Sequence, residues 1–421
     1  MQVKQTNNKQ HRRNQMKFNK WTLGLAAVGV VSLTSAARAD ETKISQVNTA
    51  LSNTTISGYV DVAAQFNPNG SSGGTPNYYY GSNPNSINLN VVDIAIDKPM
   101  DESPWASGYH AEFFVGPVAN SMGLPNNIRQ AYVTLRTPVG NGIDWKVGIF
   151  DTIVGYESTT TANNPNYSHS YGYNMEPTTH TGILAAYKAT DWLAAQFGLV
   201  DASYTGGGVY NANTAYGSNV GTGGPNNQTG GLYHPTFMWG PTLTAPDSFG
   251  WAKGATLSIA TILNGHNTSV PSSATPGNNS GQGATTYYAG VTLPTPIAAL
   301  KFGASFDYLN ARDVNGNEWA AAVYSTYQFN DKVSLNLRAE YFEGKPLDTS
   351  GAYTFVGAGT QGNNEAQEIT ATLQYALWAN VLTRLEARWD HSNGTSYGYV
   401  SNTGGFQENA FMLAAQAVYT F

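Results

Sequence analysis

From residue 55 to residue 421 the chain alternates apolar and polar side chains in short runs. Sixteen can be marked, at approximately 55–66, 87–97, 108–116, 128–136, 142–150, 180–188, 191–200, 231–239, 251–263, 284–293, 298–309, 318–329, 332–342, 366–377, 381–390 and 408–421. A β-strand has a side-chain period of two, so each run predicts a strand with one apolar face. The clearest faces are Ile143/Trp145/Val147/Ile149, Trp251/Ala255/Leu257/Ile259, Leu300/Phe302/Ala304/Phe306/Tyr308 and Val333/Leu335/Leu337/Ala339/Tyr341. The eighth run is the weakest, because Pro235 cannot donate to a strand ladder. In the last run Phe411, Leu413, Ala415, Ala417, Tyr419 and Phe421 share one face, and Met412, Ala414, Gln416, Val418 and Thr420 the other.

Composition decides what kind of β-protein this is. Only 11% of the residues are charged, against 45 Gly and 26 Tyr, whereas a water-soluble domain carries about 25% charged residues. No apolar run after Leu33 is long enough for a membrane helix. A barrel in lipid satisfies both observations, since its outer face is apolar, its interior polar, and each strand needs only about ten residues. The expected fold is therefore all-β: a transmembrane antiparallel β-barrel of about 16 strands.

The connections give a second signal. After odd-numbered runs they are long and rich in Gly, Asn and Ser (67–86, 117–127, 151–179, 201–230, 264–283, 310–317, 343–365 and 391–407). After even-numbered runs they are mostly short, as at residues 137–141, 189–190, 293–296, 330–331 and 378–380. This alternation predicts long extracellular loops and short periplasmic turns. It places Trp105, Trp145, Trp192, Trp239, Trp251 and Trp378 near periplasmic strand ends, and Trp319 and Trp389 near extracellular ones, as interfacial aromatic girdles require.

The N-terminal stretch reads as a cleavable export signal. No acidic residue precedes Asp40; Lys4, Lys9, Arg12, Arg13, Lys17 and Lys20 are followed by the apolar run Trp21 to Leu33 and by Ala37-Arg38-Ala39. Residues 1–39 are the expected signal peptide, and 40–54 a periplasmic segment before the barrel, 55–421. Met16 is an alternative start. Arg12-Arg13 resembles a twin-arginine signal, but Asn14 and Gln15 stand where apolar residues are expected. Removing the signal's seven Lys and Arg takes the net charge from −6 to −13, which argues against a nucleic-acid partner. With no Cys, the chain has neither a disulfide framework nor a thiolate metal site.

Three stretches carry a family resemblance: Asn127 to Glu157 (NIRQAYVTLRTPVGNGIDWKVGIFDTIVGYE), Glu176-Pro177-x-x-His180-Thr181-Gly182, and Leu373 to Asp390 (LQYALWANVLTRLEARWD). Together they resemble the putative beta-barrel porin family of Gram-negative outer-membrane proteins. The resemblance extends over essentially the whole chain after the signal and implies a pore. The terminal strand likewise resembles the C-terminal assembly signal of outer-membrane barrels, with Tyr419 and Phe421 as the aromatics that the barrel-assembly machinery would meet.

The lumen can be read from the strand phase. If Leu385, Ala387 and Trp389 face lipid, then Arg384, Glu386, Arg388 and Asp390 form an inward ladder, repeated by Arg338 and Glu340 two strands earlier. Charges on the lipid face would cost roughly 2–4 kcal/mol for Arg at mid-membrane. One reading makes the ladder alternating ion pairs along the wall, each weak in a wet lumen. The sharper one makes it one wall of a pore constriction, with Asp151, Glu157 and Glu176 of loop 151–179 opposite, imposing a transverse field. In general porins the loop at this place folds inward, and that analogy supports the assignment; the alternative is an outer loop over the mouth.

Other motifs carry less. His169 and His180 have no recurrent ligand spacing, so no metal is expected. Gly394-Thr395-Ser396-Tyr397-Gly398 matches a nucleophile-elbow pattern, but in a hairpin loop and with Asp390 and His391 in the wrong order. Asp313-x-Asn315-x-Asn317 has Glu318 where a calcium loop needs glycine. The expected function is a porin for passive diffusion of small hydrophilic solutes and ions, in outer-membrane lipid, with no cofactor and no catalysis. The sequence is compatible with a homotrimer. The rival readings are a non-conducting barrel with a structural or adhesive role, and a barrel-embedded lipid hydrolase.

Overall fold

The computed structural model describes residues 53–68, 84–122, 124–200, 236–267, 282–311, 316–344, 364–393, 399–400 and 406–421. The expected signal peptide, the segment 40–52 and the Gly394–Gly398 motif lie outside these residues. Sixteen strands close into one antiparallel barrel. They are β1 (Thr55–Phe66), β2 (Ser86–Lys98), β3 (Ser107–Val115), β4 (Ile128–Thr137), β5 (Ile143–Asp151), β6 (Thr179–Lys188), β7 (Leu193–Val200), β8 (Thr236–Thr244), β9 (Thr256–Asn267), β10 (Gln282–Pro294), β11 (Leu300–Ala311), β12 (Gly316–Gln328), β13 (Val333–Gly344), β14 (Asn364–Trp378), β15 (Val381–Ser392) and β18 (Asn409–Thr420). The two-residue strands β16 (Tyr399–Val400) and β17 (Phe406–Gln407) pair only with each other, between β15 and β18.

Each barrel strand pairs with its neighbours in chain order, and β18 closes the wall by pairing with both β15 and β1. Its register on β1 runs from Tyr59↔Thr420 to Phe66↔Leu413. Beyond the ladder, the Phe421 amide donates to the Gly58 carbonyl at 2.9 Å, and the Gly58 amide to the Phe421 carbonyl at 3.1 Å. Closure is obligatory in lipid, where an open edge would leave backbone groups without partners.

Alternation sorts the side chains. Phe197, Phe237, Phe302, Leu385 and Leu413 stand exposed on the outside of the wall, while the intervening Gln196, Met238, Gly303, Glu386 and Met412 are inward and buried. The outward aliphatic and aromatic belt is what a hydrocarbon environment selects.

Two strands differ from the sequence expectation. The eighth, expected at 231–239, is Thr236–Thr244 and contains Pro241 rather than Pro235. Its pairing to β9 runs from Phe237↔Leu263 to Trp239↔Thr261 and resumes at Thr242↔Ser258, so Pro241 falls in a gap on the β9 side while it stands opposite Ala195 of β7 on the other. The ninth begins at Thr256 rather than 251, because Asp247–Ala252 form a 3-10 turn in the connection. Trp251 accordingly sits in that turn, and Trp239 lies within the outer face of β8 rather than at its periplasmic end.

Candidate functional site

The connection from β5 to β6, residues 152–178, is ordered by contacts with inward side chains of distant strands. Its anchors fall on successive levels of the strand register. At one level Gly303 pairs with Tyr324, Tyr324 with Arg338, Arg338 with Thr370 and Thr370 with Arg388, from β11 to β15. The level above includes Glu340, Glu368 and Asp390; the one below, Asn336, Thr372 and Glu386; and the next, Gln374, Arg384 and Gln416.

Residues 164–171 climb this wall about one level for every two residues. The Arg384 guanidinium donates to the carbonyls of Thr161 and Asn164 and to Gln416 Oε1. Asn166 Nδ2 donates to Thr372 Oγ1 at 2.6 Å. The amides of Tyr167 and Ser168 both donate to the Glu386 carboxylate, at 2.5 and 2.9 Å. Arg338 Nη1 donates to the Ser168 carbonyl at 2.7 Å, and Arg388 Nη1 to the His169 carbonyl at 2.5 Å. Highest, the amides of Tyr171 and Gly172 donate to Glu340 at 2.5 and 2.8 Å, and Tyr171 Oη to Asp390 at 2.6 Å. An extended segment and a strand have nearly the same rise, so this matching of rungs follows from geometry.

The wall therefore recognises the loop's backbone. Carboxylates take paired N–H groups and guanidinium groups take carbonyls, both as charge-assisted hydrogen bonds. Gly172 is the second residue of the one-turn helix Tyr171–Met175, capped by Ser170, whose Oγ accepts from the Tyr173 amide at 3.0 Å. A methyl group on Gly172 would lie 2.7 Å from Asp307 Oδ2 and 3.4 Å from Glu340 Oε1, so a side chain there would have to displace the Asp307 carboxylate.

Glu157 is the loop's own anchor. Its carboxylate meets Arg338 Nη1 at 2.8 Å and His169 Nδ1 at 3.0 Å, and accepts from Tyr324 Oη at 3.1 Å and from the Ser170 amide at 3.1 Å. Burial acts to raise its pKa, but Arg338 and His169 outweigh it and bring the group down to about 2. Arg338 is shared with Glu368 at 2.5 Å, and Arg388 pairs with Asp390 at 2.7 Å. Glu176 has the opposite surroundings. Burial raises its pKa well above the usual carboxylate range, and Asp307, Glu157 and Glu340 add to the rise.

Of the residues singled out from sequence, the structure brings together Arg338, Glu340, Arg384, Glu386, Arg388, Asp390 and Glu157. Asp151 and Glu176 are placed elsewhere: Asp151 pairs with Arg129 of β4 at 2.5 Å, and Glu176 faces Asp307 of β11. The two histidines do not converge; His180 Nε2 lies 3.1 Å from Thr152 Oγ1, while His169 stacks on Tyr173. Among the described residues no group of three metal-ligating side chains forms. Sequence reading missed Glu368 and Asp307, although both fall in the inward phase of their strands, and it gives Tyr156 no role apart from the other loop tyrosines Tyr167, Tyr171 and Tyr173.

Apolar packing completes the docking. Tyr167 and Tyr173 join Tyr59, Phe114, Met122 and Met412, on the side of β1–β3 and β18. Ile153, Val154 and Tyr156 join Leu184, Val200, Met238, Ile262, Tyr288 and Tyr324, from β6 to β12. Tyr171 and Met175 join Leu309 and Phe342.

The family described as putative beta-barrel porin-2, OmpL-like, matches residues 53–421. The chain belongs to this porin family. Its place is the bacterial outer membrane. The fold is shared with solved barrels of low identity. The anion-selective porin from Comamonas acidovorans aligns with a TM-score of 0.55 at 10% identity, covering 87% of this chain and 99% of its own. The outer membrane channel DcaP of Acinetobacter baumannii aligns with a TM-score of 0.53 at 12% identity, covering 89% and 99%. OmpT, an outer membrane protein of Vibrio cholerae, aligns with a TM-score of 0.52 at 14% identity, covering 90% and 100%. No curated protein sequence matches the chain.

Proposed function

We propose that this porin passes small hydrophilic solutes and ions by passive diffusion, without catalysis, through a lumen narrowed by residues 152–178. The observation that carries this reading is the docking of that loop, rung by rung, on the inward side chains of β13–β15. On the loop's two lowest levels, toward the periplasm, the inward positions Ser334, Asn336, Thr372, Gln374 and Gln416 are polar, in keeping with the polar interior of a transmembrane barrel. Sixteen strands also enclose more space than their own side chains fill.

In this reading Arg338, Arg384 and Arg388 set the constriction by holding the loop, and Glu340, Glu386 and Asp390 do the same for its N–H groups and Tyr171. The charge of −13 that remains once residues 1–39 are removed favours a mild preference for cations. Tyr419 and Phe421, at the β18–β1 seam, are proposed as the contact for the assembly machinery, and three barrels as the assembly in lipid.

Planar-bilayer recording of the purified, folded barrel tests the reading: stepwise conductance is expected, with a reversal potential of cationic sign under a salt gradient. Silence from folded protein would reject it in favour of the non-conducting barrel. That second reading has one observation in its favour, the apolar contacts between loop and wall on several sides of the lumen.

A further inference from the structure

The loop's first turn makes a contact of another kind. Tyr156 is 4% exposed and stacks on Tyr324 of β12, with ring centroids 4.2 Å apart and planes at 22°. Its phenol oxygen fills the space over Gly303, the residue paired directly with Tyr324: a methyl group built on Gly303 would lie 1.7 Å from that oxygen. One strand away, the Tyr288 phenol fills the space over Gly290 in the same way, at 1.9 Å from a methyl group there. Around these tyrosines the inward side chains are Leu184, Val200, Met238, Ala260 and Ile262, all buried. Aliphatic side chains lining a water-filled sector would stand wet, and that costs about 25 cal/mol per Å² of apolar surface. Here they are covered by Ile153, Val154 and Tyr156.

We infer that Tyr156, seated on Gly303 and Tyr324, is the stopper that closes the β6–β12 sector of the lumen, and that it sets the size limit for solutes. This rests on the proposed diffusion channel. The charged anchors on β13–β15 fix one flank of the loop; the tyrosine seat fixes the other. Glu157 links the two, because it bonds both Tyr324 Oη and Arg338. The seat contains no charge, so it limits by size and leaves ion preference to other residues.

The test compares wild type, Tyr156→Ala and Tyr156→Phe in bilayers, and in liposomes swollen by neutral sugars of increasing size. Heat-modifiable gel mobility verifies that each barrel is folded. Tyr156→Ala should raise single-channel conductance about twofold and admit larger sugars, with the reversal potential unchanged, because pore diameter is the lever it moves. Tyr156→Phe, which keeps the ring, should behave as wild type. A folded Tyr156→Ala barrel with wild-type conductance and sugar cut-off overturns the inference while leaving the channel intact. A silent wild type with a conducting Tyr156→Ala rejects free diffusion in the native protein and upholds the stopper; silence from both overturns the stopper as well.

Discussion

Glu157 of the β5–β6 loop and Arg338 of β13 meet at 2.8 Å with both side chains withdrawn from solvent. Removing one partner of such a buried pair leaves the other charge uncompensated, at a cost of about 3–5 kcal/mol. Arg338→Ala also strips Glu368 and the Ser168 carbonyl of a donor. The barrel wall should survive, because its backbone ladder does not involve the guanidinium. The expected result is a loop that proteases cut between residues 151 and 179 in an otherwise folded barrel. A loop as resistant as wild type would show that the pair does not hold it.

A second consequence concerns pH. The folded pKa of Glu176 is raised by burial and by Asp307 of β11, with Glu157 of the loop and Glu340 of β13 adding to it. A raised carboxyl contributes stability that is fully present below its unfolded value, 4.5, and is lost as pH rises through its folded value. Glu157 has the opposite sign. Its contribution is present above 4.5 and is lost as pH falls toward about 2. Loop docking should therefore weaken through Glu176 as pH rises from 4.5 through its raised folded value, and through Glu157 only in strong acid. Glu176→Gln should flatten the loss of protease resistance that accompanies rising pH; an unchanged pH profile would mean that the loop does not respond to this group.

Much of this was legible in the sequence, and for a physical reason. A strand exposed to lipid on one face and water on the other must alternate, so the wall and its inward charges Arg384, Glu386, Arg388 and Asp390 are written with period two. Strand 8 lies elsewhere because alternation is blind to phase near a proline: Pro235 marks the wrong residue, and Pro241 is tolerated at a gap in the pairing to β9 that only that neighbouring strand defines. The site was half legible. Charge named the anchors, but the groups they hold are loop N–H and carbonyl groups, which every residue carries. The seat of Tyr156 on Gly303 joins positions 147 residues apart, and no local pattern predicts it.

A third prediction concerns Gly148. It pairs with Gly182 of β6, and its φ of +137° is one that side-chain-bearing residues rarely adopt. A methyl group there would lie 2.3 Å from the Ala131 carbonyl oxygen and 2.8 Å from the Tyr132 Cα, both backbone atoms of β4. Strained backbone alone costs roughly 1–3 kcal/mol, and the overlap adds to it. Gly148→Ala should lower the thermal transition of the folded barrel or reduce its yield in membranes. Gly250→Ala is the control: φ there is +61°, and nothing lies within 4 Å of an added methyl group. It should cost no more than the strain alone. Equal effects at both positions would show that contact with β4 is unimportant.

The last prediction separates anchoring from selectivity. Arg384 and Arg388 are 1% and 3% exposed, and both donate to loop carbonyls. If they faced passing ions, Arg384→Ala/Arg388→Ala would shift the reversal potential strongly toward cations while leaving the current quiet. If they hold the loop, the double variant loses hydrogen bonds to charged groups worth about 1.5–3 kcal/mol each. The loop would then sample undocked positions. The geometry favours the second outcome: rapid fluctuation of the open-channel current with a small change in reversal potential. Arg388→Lys should restore quiet current only in part, since one ammonium cannot grip Asp390 through two nitrogens and still reach the His169 carbonyl as the guanidinium does. A quiet channel with strongly altered selectivity would return these arginines to the role of a field-forming wall.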